Sequence, residues 1–336
     1  MHSSHQEISS GVRIVHRRLA VLALALGACL GFTGAHAEDY PSRPLKMIVP
    51  YSTGGTADTL GRMMAQGMSE PLGQSIVVEN RSGAGALIGA SYVAKSAPDG
   101  YTLLLGAGST HTTPQVMTKS MPYEPQADFE PVAMIGNTSY VLFANSNLPY
   151  RTLEDLIRYA KANPGKVSYG STGQGTAVHL TMAHFANLAG IRLLHVPYRG
   201  GGQTLVDVMG GQIDLTLGTA ESAPMVKSGK LRALAVMGPN KLSALPEVPT
   251  CIQAGVPKCE FPVWNAIFVP AKTPAAIIAK LSAAAQQFLA LPTTQQRLRD
   301  LGYEPVADKP DQLKKRIADE IRLVNSIAAQ AGVQPE

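Results

Sequence analysis

Four glycine-rich turns carry the chemistry this chain can offer. Each follows a short apolar run and precedes a helical pattern: Ser52-Thr53-Gly54-Gly55-Thr56, Gly83-Ala84-Gly85, Gly173-Gln174-Gly175-Thr176 and Arg199-Gly200-Gly201-Gly202. Glycine lets the backbone bend sharply and lets a ligand approach it closely. A helix start leaves several N–H groups unpaired, with the positive end of the dipole outward. Such an end holds a carboxylate or a phosphate without needing a lysine. Several of them aimed at one cleft would select a small carboxylate.

Other chemistries find less support. Gly83-Ala84-Gly85-Ala86-Leu87-Ile88-Gly89 approaches a dinucleotide fingerprint but sits on the second strand unit. It also lacks the strand ending in an acid about 20 residues on. No G-x-x-x-x-G-K-[ST] occurs, and Gly170-Ser171-Thr172-Gly173 lacks the spacing of a nucleophile elbow. His179 and His184 lie five apart in one helical pattern, about 140° apart around it, which makes no metal face. His179 reads instead as a side chain holding the helix start at Gly175-Thr176. Asp58 reads as a cap at the start of the first helix, and Glu221 as an exposed helix-start acid. Tyr51 and Tyr198 each close a strand just before a glycine turn and can wall a pocket. No cofactor and no metal are expected.

The elements around these turns alternate as in α/β proteins. Strand patterns at Leu45–Tyr51, Ser75–Glu79 and Tyr101–Gly106 alternate with helical ones, and Ser109 to Thr113 follows as a polar loop. After a Pro-rich connector, 120–131, and apolar runs at 132–135 and 140–144, the rhythm starts afresh, and helical patterns close the chain near 274–289, 293–300 and 311–331. This predicts two similar lobes, one nested in the other: 38–139 with 264–336, and 140–263. Two extended crossings, near 138–145 and 262–268, form the hinge, and Trp264 in the second should report closure. A cleft between such lobes is a frequent ligand site.

Residues 1–37 read as an export signal, with Arg13, Arg17 and Arg18, the uncharged run Leu19–Phe32 and an Ala35-His36-Ala37 cleavage site. Leu26-Gly27-Ala28-Cys29 offers the alternative of a lipid anchor at Cys29, which is less favoured. Removing 1–37 takes three Arg and one Glu, so 26 basic and 23 acidic side chains remain. That balance makes no field for nucleic acid, and an aromatic content of 6% offers no base-stacking platform. Cys251 and Cys259, in an oxidising compartment, are a candidate disulfide.

Many ordered blocks resemble one family, the periplasmic solute receptors of tripartite tricarboxylate transporters, or Bug receptors. They include Tyr40-Pro41-Ser42-Arg43-Pro44, Val49-Pro50-Tyr51 with Gly54-Gly55 and Asp58, Val78-Glu79-Asn80-Arg81 with Gly83-Ala84-Gly85, and Ala97-Pro98-Asp99-Gly100-Tyr101. Tyr169-Gly170-Ser171 with Gly173 and Gly175-Thr176, His195-Val196-Pro197-Tyr198 and Leu245-Pro246-Glu247-Val248-Pro249-Thr250 continue the match. The resemblance implies a two-lobe binding protein of type II kind that closes over a small carboxylate and hands it to a membrane permease. It places the ligand against Ser52, Gly54, Gly55 and Thr56 in one lobe and Ser171, Gly175 and Thr176 in the other. Tyr51, Gly83, Ala84, Gly85, Ser109, Thr110 and Tyr198 lie around them. Ser52-Thr53 departs from the Ala common in this loop, and 215–223 matches poorly. The low charge around the loops, with Arg81 and Arg199 nearby, favours a small mono- or dicarboxylate over citrate. An exported enzyme on the same fold, with Asp58, Glu221, Tyr51 or Tyr198 as acid or base, is the alternative reading. A sensory role through a membrane sensor kinase is compatible with the receptor reading.

Overall fold

The computed structural model describes residues 40–116, 118–198, 201–306, 308–330 and 332–333. The segment read as an export signal, Cys29 and the Arg199-Gly200 pair of the fourth turn therefore lie outside the described residues. Residues 1–42 and 43–336 are separate units, and the second contains every strand and helix among the described residues.

Two sheets organise this second unit. The first, in spatial order, is β11 (Glu304–Pro305), β4 (Phe129–Thr138), β10 (Val263–Pro270), β3 (Thr102–Ala107), β1 (Leu45–Val49) and β2 (Ile76–Asn80). The other is β7 (Leu194–Pro197), β6 (Ser168–Ser171), β8 (Leu215–Gly218), β5 (Val141–Asn145) and β9 (Leu231–Val236). In each, three parallel strands stand side by side, β2-β1-β3 and β7-β6-β8, and an antiparallel strand follows. The parallel strands are joined by crossover helices, because only a long connection returns the chain to the same end of the sheet. Those helices are α1 (Thr56–Leu72) and α2 (Leu87–Ala94) in the first sheet, and α5 (Ala177–Ala189) and α6 (Gly201–Met209) in the second. The chain leaves the first sheet after Thr138, builds the second, and returns at Val263. This is the expected two-lobe α/β architecture.

Helix boundaries follow local signals. Helix α1 runs until Gly73, whose left-handed φ of 68° ends it. Helix α4 (Leu153–Ala162) begins at Thr152, which accepts from the Asp155 N–H in a capping box. Other elements depart from expectation. The segment predicted as a polar loop after β3 contains a helical turn, α3 (Gly108–His111), with the Thr110 hydroxyl bonded to the Ala107 backbone. A short helix, α7 (Ala223–Lys227), and the two-residue β11 had no periodicity to reveal them. Helices α8 (Ala275–Leu289), α9 (Pro292–Asp300) and α10 (Pro310–Gln330) fall where the periodicity places them.

The first lobe's core packs Ile48, Leu104, Met134, Trp264 and Phe268 against Leu313 and Ile317 of α10. The second lobe has a cluster around Leu142, Phe185 and Leu215 that includes Cys251 and Cys259, joined in a disulfide. Helix α10 then reaches across: Val324, Ile327 and Ala328 pack with Leu180 of α5 and with Phe261. At the hinge, Gly302 holds a φ of +80°, and a Cβ there would stand 2.5 Å from that of Ala220. Its carbonyl also accepts from the Thr138 hydroxyl at 2.7 Å. Gly302→Ala is therefore expected to cost about 2 kcal/mol, read as a lower urea midpoint at unchanged slope. An unaltered midpoint would show that the lobes do not meet there.

Candidate functional site

The glycine turns stand at the C-terminal ends of the parallel strands, the end at which open α/β sheets bind ligands. In the first lobe, Ser52 to Gly55 are exposed and α1 begins at Thr56 with no side chain capping it. The first-turn N–H groups thus have no intrahelical partner. Asp58 fixes this loop. Its carboxylate accepts from the Gly54 N–H at 3.0 Å, from Asn80 Nδ2 at 3.0 Å and from Arg62 Nε at 3.1 Å. The bonds from Arg62, with help from Gly54 and Asn80, outweigh its burial and hold its carboxyl below the usual range. Asn80 also donates to the Tyr51 carbonyl at 3.1 Å. The carboxylate is saturated by the protein, which leaves it a structural acid rather than a proton donor.

The turn after β2 keeps positive φ at four successive residues: Gly83 at 128°, Ala84 at 45°, Gly85 at 64° and Ala86 at 85°. A side chain in the left-handed region costs about 1–2 kcal/mol, so the exposed Ala84 and the buried Ala86 are both strained. Next to it, Arg81 pairs with Glu79 and lies 3.6 Å over the Tyr92 ring. Ser109, after β3, is 2.5 Å from the Tyr51 hydroxyl; burial pushes that phenol's pKa up. Thr110 departs from its expected place: it is fully buried, with its hydroxyl committed to Ala107 and lying 2.8 Å from His111 Nδ1. Its side chain caps α3 from inside instead of facing ligand.

The second lobe's loop is organised by two imidazoles, of which spacing revealed one. The Gly175 N–H donates to His179 Nδ1 at 2.9 Å, so that N–H is spoken for by the protein. Thr176 caps α5 by accepting from the His179 N–H and donates to the Gly173 carbonyl at 2.8 Å. His195, on β7, stacks on His179 with ring centroids 4.0 Å apart and planes within 6°. Its Nε2 lies 2.6 Å from the Ser171 hydroxyl, which also accepts from the Gly173 N–H at 3.1 Å. Burial, reinforced by His195, pushes the His179 pKa down to about 4; burial lowers that of His195 too. Both rings are thus neutral near pH 7. Tyr198 turns its hydroxyl to Asp207 at 2.7 Å, and burial together with that carboxylate pushes its pKa up to about 12. Glu221 is exposed, as expected.

The loops thus offer uncharged backbone and hydroxyl donors. Among the described residues, no lysine or arginine bond reaches them except through Asp58, and no group of three or more metal-ligating side chains gathers. The chemistry available is recognition of an anion by N–H groups.

Comparison with known proteins agrees. Residues 60–333 match the model of the tripartite tricarboxylate transporter family receptor. Protein BugT of Bordetella pertussis is 34% identical over 323 residues, 95% of this chain and 98% of that one. Among solved structures, R. palustris Rpa4515 with adipate is 35% identical, with a TM-score of 0.82 over 89% of this chain and 100% of that one. MatC from Rhodopseudomonas palustris with bound malate is 29% identical, with a TM-score of 0.76 over 86% and 99%.

Proposed function

Because this chain belongs to the family of tripartite tricarboxylate transporter receptors, a family of solute-binding proteins, we propose that it captures a linear dicarboxylate of four to six carbons. The ligand sits between the lobe 38–139 with 264–336 and the lobe 140–263. One carboxylate is held by Ser52, Gly54, Gly55 and Thr56 and the other by Ser171, Gly175 and Thr176. Tyr51, Gly83, Ala84, Gly85, Ser109 and Tyr198 close the walls. The observation that carries this reading is the uncapped start of α1, facing solvent in a loop that Asp58 holds open. Around Gly175 the neighbouring N–H groups serve, since its own N–H is bonded to His179.

Two relatives bind adipate and malate, which have a carboxylate at each end. That arrangement suits two loops on opposing lobes. An anion held by oriented N–H groups at a helix start needs no counter-ion, in keeping with the engagement of Arg81 by Glu79 and Tyr92. Export through residues 1–37, delivery to a membrane permease and the absence of catalysis complete the proposal. Of the four acid–base candidates, Asp58, Tyr51 and Tyr198 are bonded within the protein, which disfavours the enzyme reading.

The test is a thermal-shift series of malate, succinate, glutarate and adipate against hexanoate and 1,6-hexanediol. A ligand that binds only the folded state at a hundred times its Kd stabilises it by about 2.7 kcal/mol. At least one diacid is expected to raise the midpoint by several degrees while the monoacid and the diol do not. If none of the diacids does, or the diol matches them, the assignment of the loops to two carboxylates is wrong.

A further inference from the structure

Glu320 is a buried carboxyl with no part in the loops assigned to the ligand. It stands on α10 at 4% exposure, where its oxygens meet the Thr112 hydroxyl and the Trp264 indole, each at 2.6 Å. Three elements converge on this one titratable group. Thr112 directly follows α3, the turn that brings Ser109 to the Tyr51 hydroxyl. Trp264 lies on β10, the strand by which the chain returns from the second lobe. One turn beyond Glu320, α10 packs Val324 and Ile327 with Leu180 of that lobe.

The bonds around Thr112 depend on a single proton. Its hydroxyl has one hydrogen and two acceptors, Glu320 Oε1 at 2.6 Å and the Gly108 carbonyl at 3.0 Å. When Glu320 is ionised, that hydrogen points to the carboxylate. Oε2 receives the indole N–H, so a proton added to Glu320 goes to Oε1. The new O–H donates to Thr112, and the hydroxyl turns to Gly108, the first residue of α3 and the neighbour of Ser109. The two states therefore differ at the backbone beside the ligand wall.

Solvent reaches the same group from outside. Glu320 lines a surface hollow of about 500 Å³ together with Asp308, Lys315, Arg316 and Asp319. None of the loop residues assigned to the carboxylates lines it. The charges around it are paired: Arg316 with Asp308, Lys315 and Arg322 with Asp319, and Lys314 with Glu130 of β4. On α5, His184 bonds the Lys258 carbonyl, and burial with His195 pushes the His179 pKa down to about 4. On α3, burial pushes that of His111 down to about 3. Glu320 itself, pushed up to about 7 by burial, is poised to exchange a proton near neutrality.

We propose that the protein takes up a proton at Glu320 when a dicarboxylate fills the cleft, so that anion and proton bind together. This coupling rests on the dicarboxylate reading of the cleft. Its physical basis is charge: an anion brought within roughly 10 Å of a buried carboxyl tightens the hold on its proton about tenfold. The Thr112 hydroxyl carries the change of state to α3.

The experiment is calorimetric titration of the purified protein with adipate and with malate at pH 7, in PIPES and in imidazole. The two buffers differ in heat of ionisation, so the difference in binding heat counts the protons exchanged. Uptake of about 0.4 proton per ligand is expected, with binding about fivefold tighter at pH 6.5 than at pH 8.5. The emission of Trp264, the chain's one tryptophan, should titrate near pH 7 without ligand and about one pH unit higher with adipate. Glu320→Gln should still bind adipate, with no proton uptake and a flat emission curve. Equal binding heats in the two buffers overturn the coupling and spare the reading of the cleft. So does an emission curve that adipate leaves in place, which is read on the unaltered chain and needs no variant to fold. Uptake that persists in Glu320→Gln puts the proton on another group and overturns the coupling as well. The absence of binding heat from both acids overturns the dicarboxylate reading, and the coupling falls with it.

Discussion

Asp58→Ala is expected to weaken dicarboxylate binding roughly a hundredfold, a loss of about 2.7 kcal/mol. The side chain itself contacts no ligand. It ties together three pieces of chain, bonding the Gly54 N–H before α1, Asn80 at the end of β2 and Arg62 one turn along the helix. Removing it frees the Gly54 loop and leaves Asn80 Nδ2 with only the Tyr51 carbonyl as acceptor. Hydrogen bonds to a charged partner contribute about 1.5–3 kcal/mol each, and Asp58 is only 4% exposed, so stability should fall by roughly 2–3 kcal/mol as well. Arg62→Ala is the informative contrast. Its side chain is 52% exposed, and an exposed ion pair contributes less than about 1 kcal/mol. That variant should lose less than fivefold in affinity. Calorimetry with the best diacid from the thermal series decides the matter: an Asp58→Ala protein within threefold of the unaltered one would show that the loop needs no such anchor.

Acidification should destabilise the protein between pH 6.5 and 4.5, by a balance of three buried groups. Burial pushes the His111 pKa down to about 3 and the His179 pKa to about 4 from an ordinary 6.5. In this window protons therefore bind the unfolded chain first, and each imidazole contributes stability that is lost as pH falls. Glu320 acts in the opposite sense. It is 4% exposed and accepts from the Trp264 indole at 2.6 Å and the Thr112 hydroxyl at 2.6 Å. Burial, only partly offset by those donors, pushes its pKa up to about 7 from 4.5. The folded state holds that proton more tightly, so its contribution grows as pH falls through the same window and is lost as pH rises.

Each group changes stability by about 1.4 kcal/mol per pH unit while the two states differ in protonation. Two imidazoles against one carboxyl leave a net loss on the order of 3 kcal/mol from pH 6.5 to 4.5. Urea midpoints across that range should fall with pH. Glu320→Gln, which removes the opposing group, should make the fall steeper, and His179→Phe should make it shallower. A profile that is flat or rises on acidification would refute the balance. Protonating His179 also removes the acceptor of the Gly175 N–H, so dicarboxylate affinity should decline in the same direction.

What local sequence determined here is the repeated unit of strand, glycine turn and helix. Its signals lie within a few residues of one another: apolar runs, glycines at left-handed positions such as Gly54 and Gly173, and helical periodicity. The restart of that rhythm near 140 was legible for the same reason, and with it the two-lobe plan. The match of many blocks to one receptor family followed from the same residues. The sequence also pointed to Asp58 and His179 as holders of their loops, because a group at a helix start meets the free N–H groups beside it.

The tertiary structure decided which of those loop donors remain free. The Gly175 N–H is taken by a histidine four residues on, a bond that depends on the ring's rotamer and on His195 stacking from another strand. Thr110 turned inward because α3 formed, and Tyr198 found Asp207. Trp264, on the second crossing, is buried against Glu320, 56 residues away in sequence. Its fluorescence should therefore follow the ionisation of that carboxyl. Pairings between distant segments carry no local periodicity, and burial, which sets the charge of Glu320 and His111, is a property of the packed core.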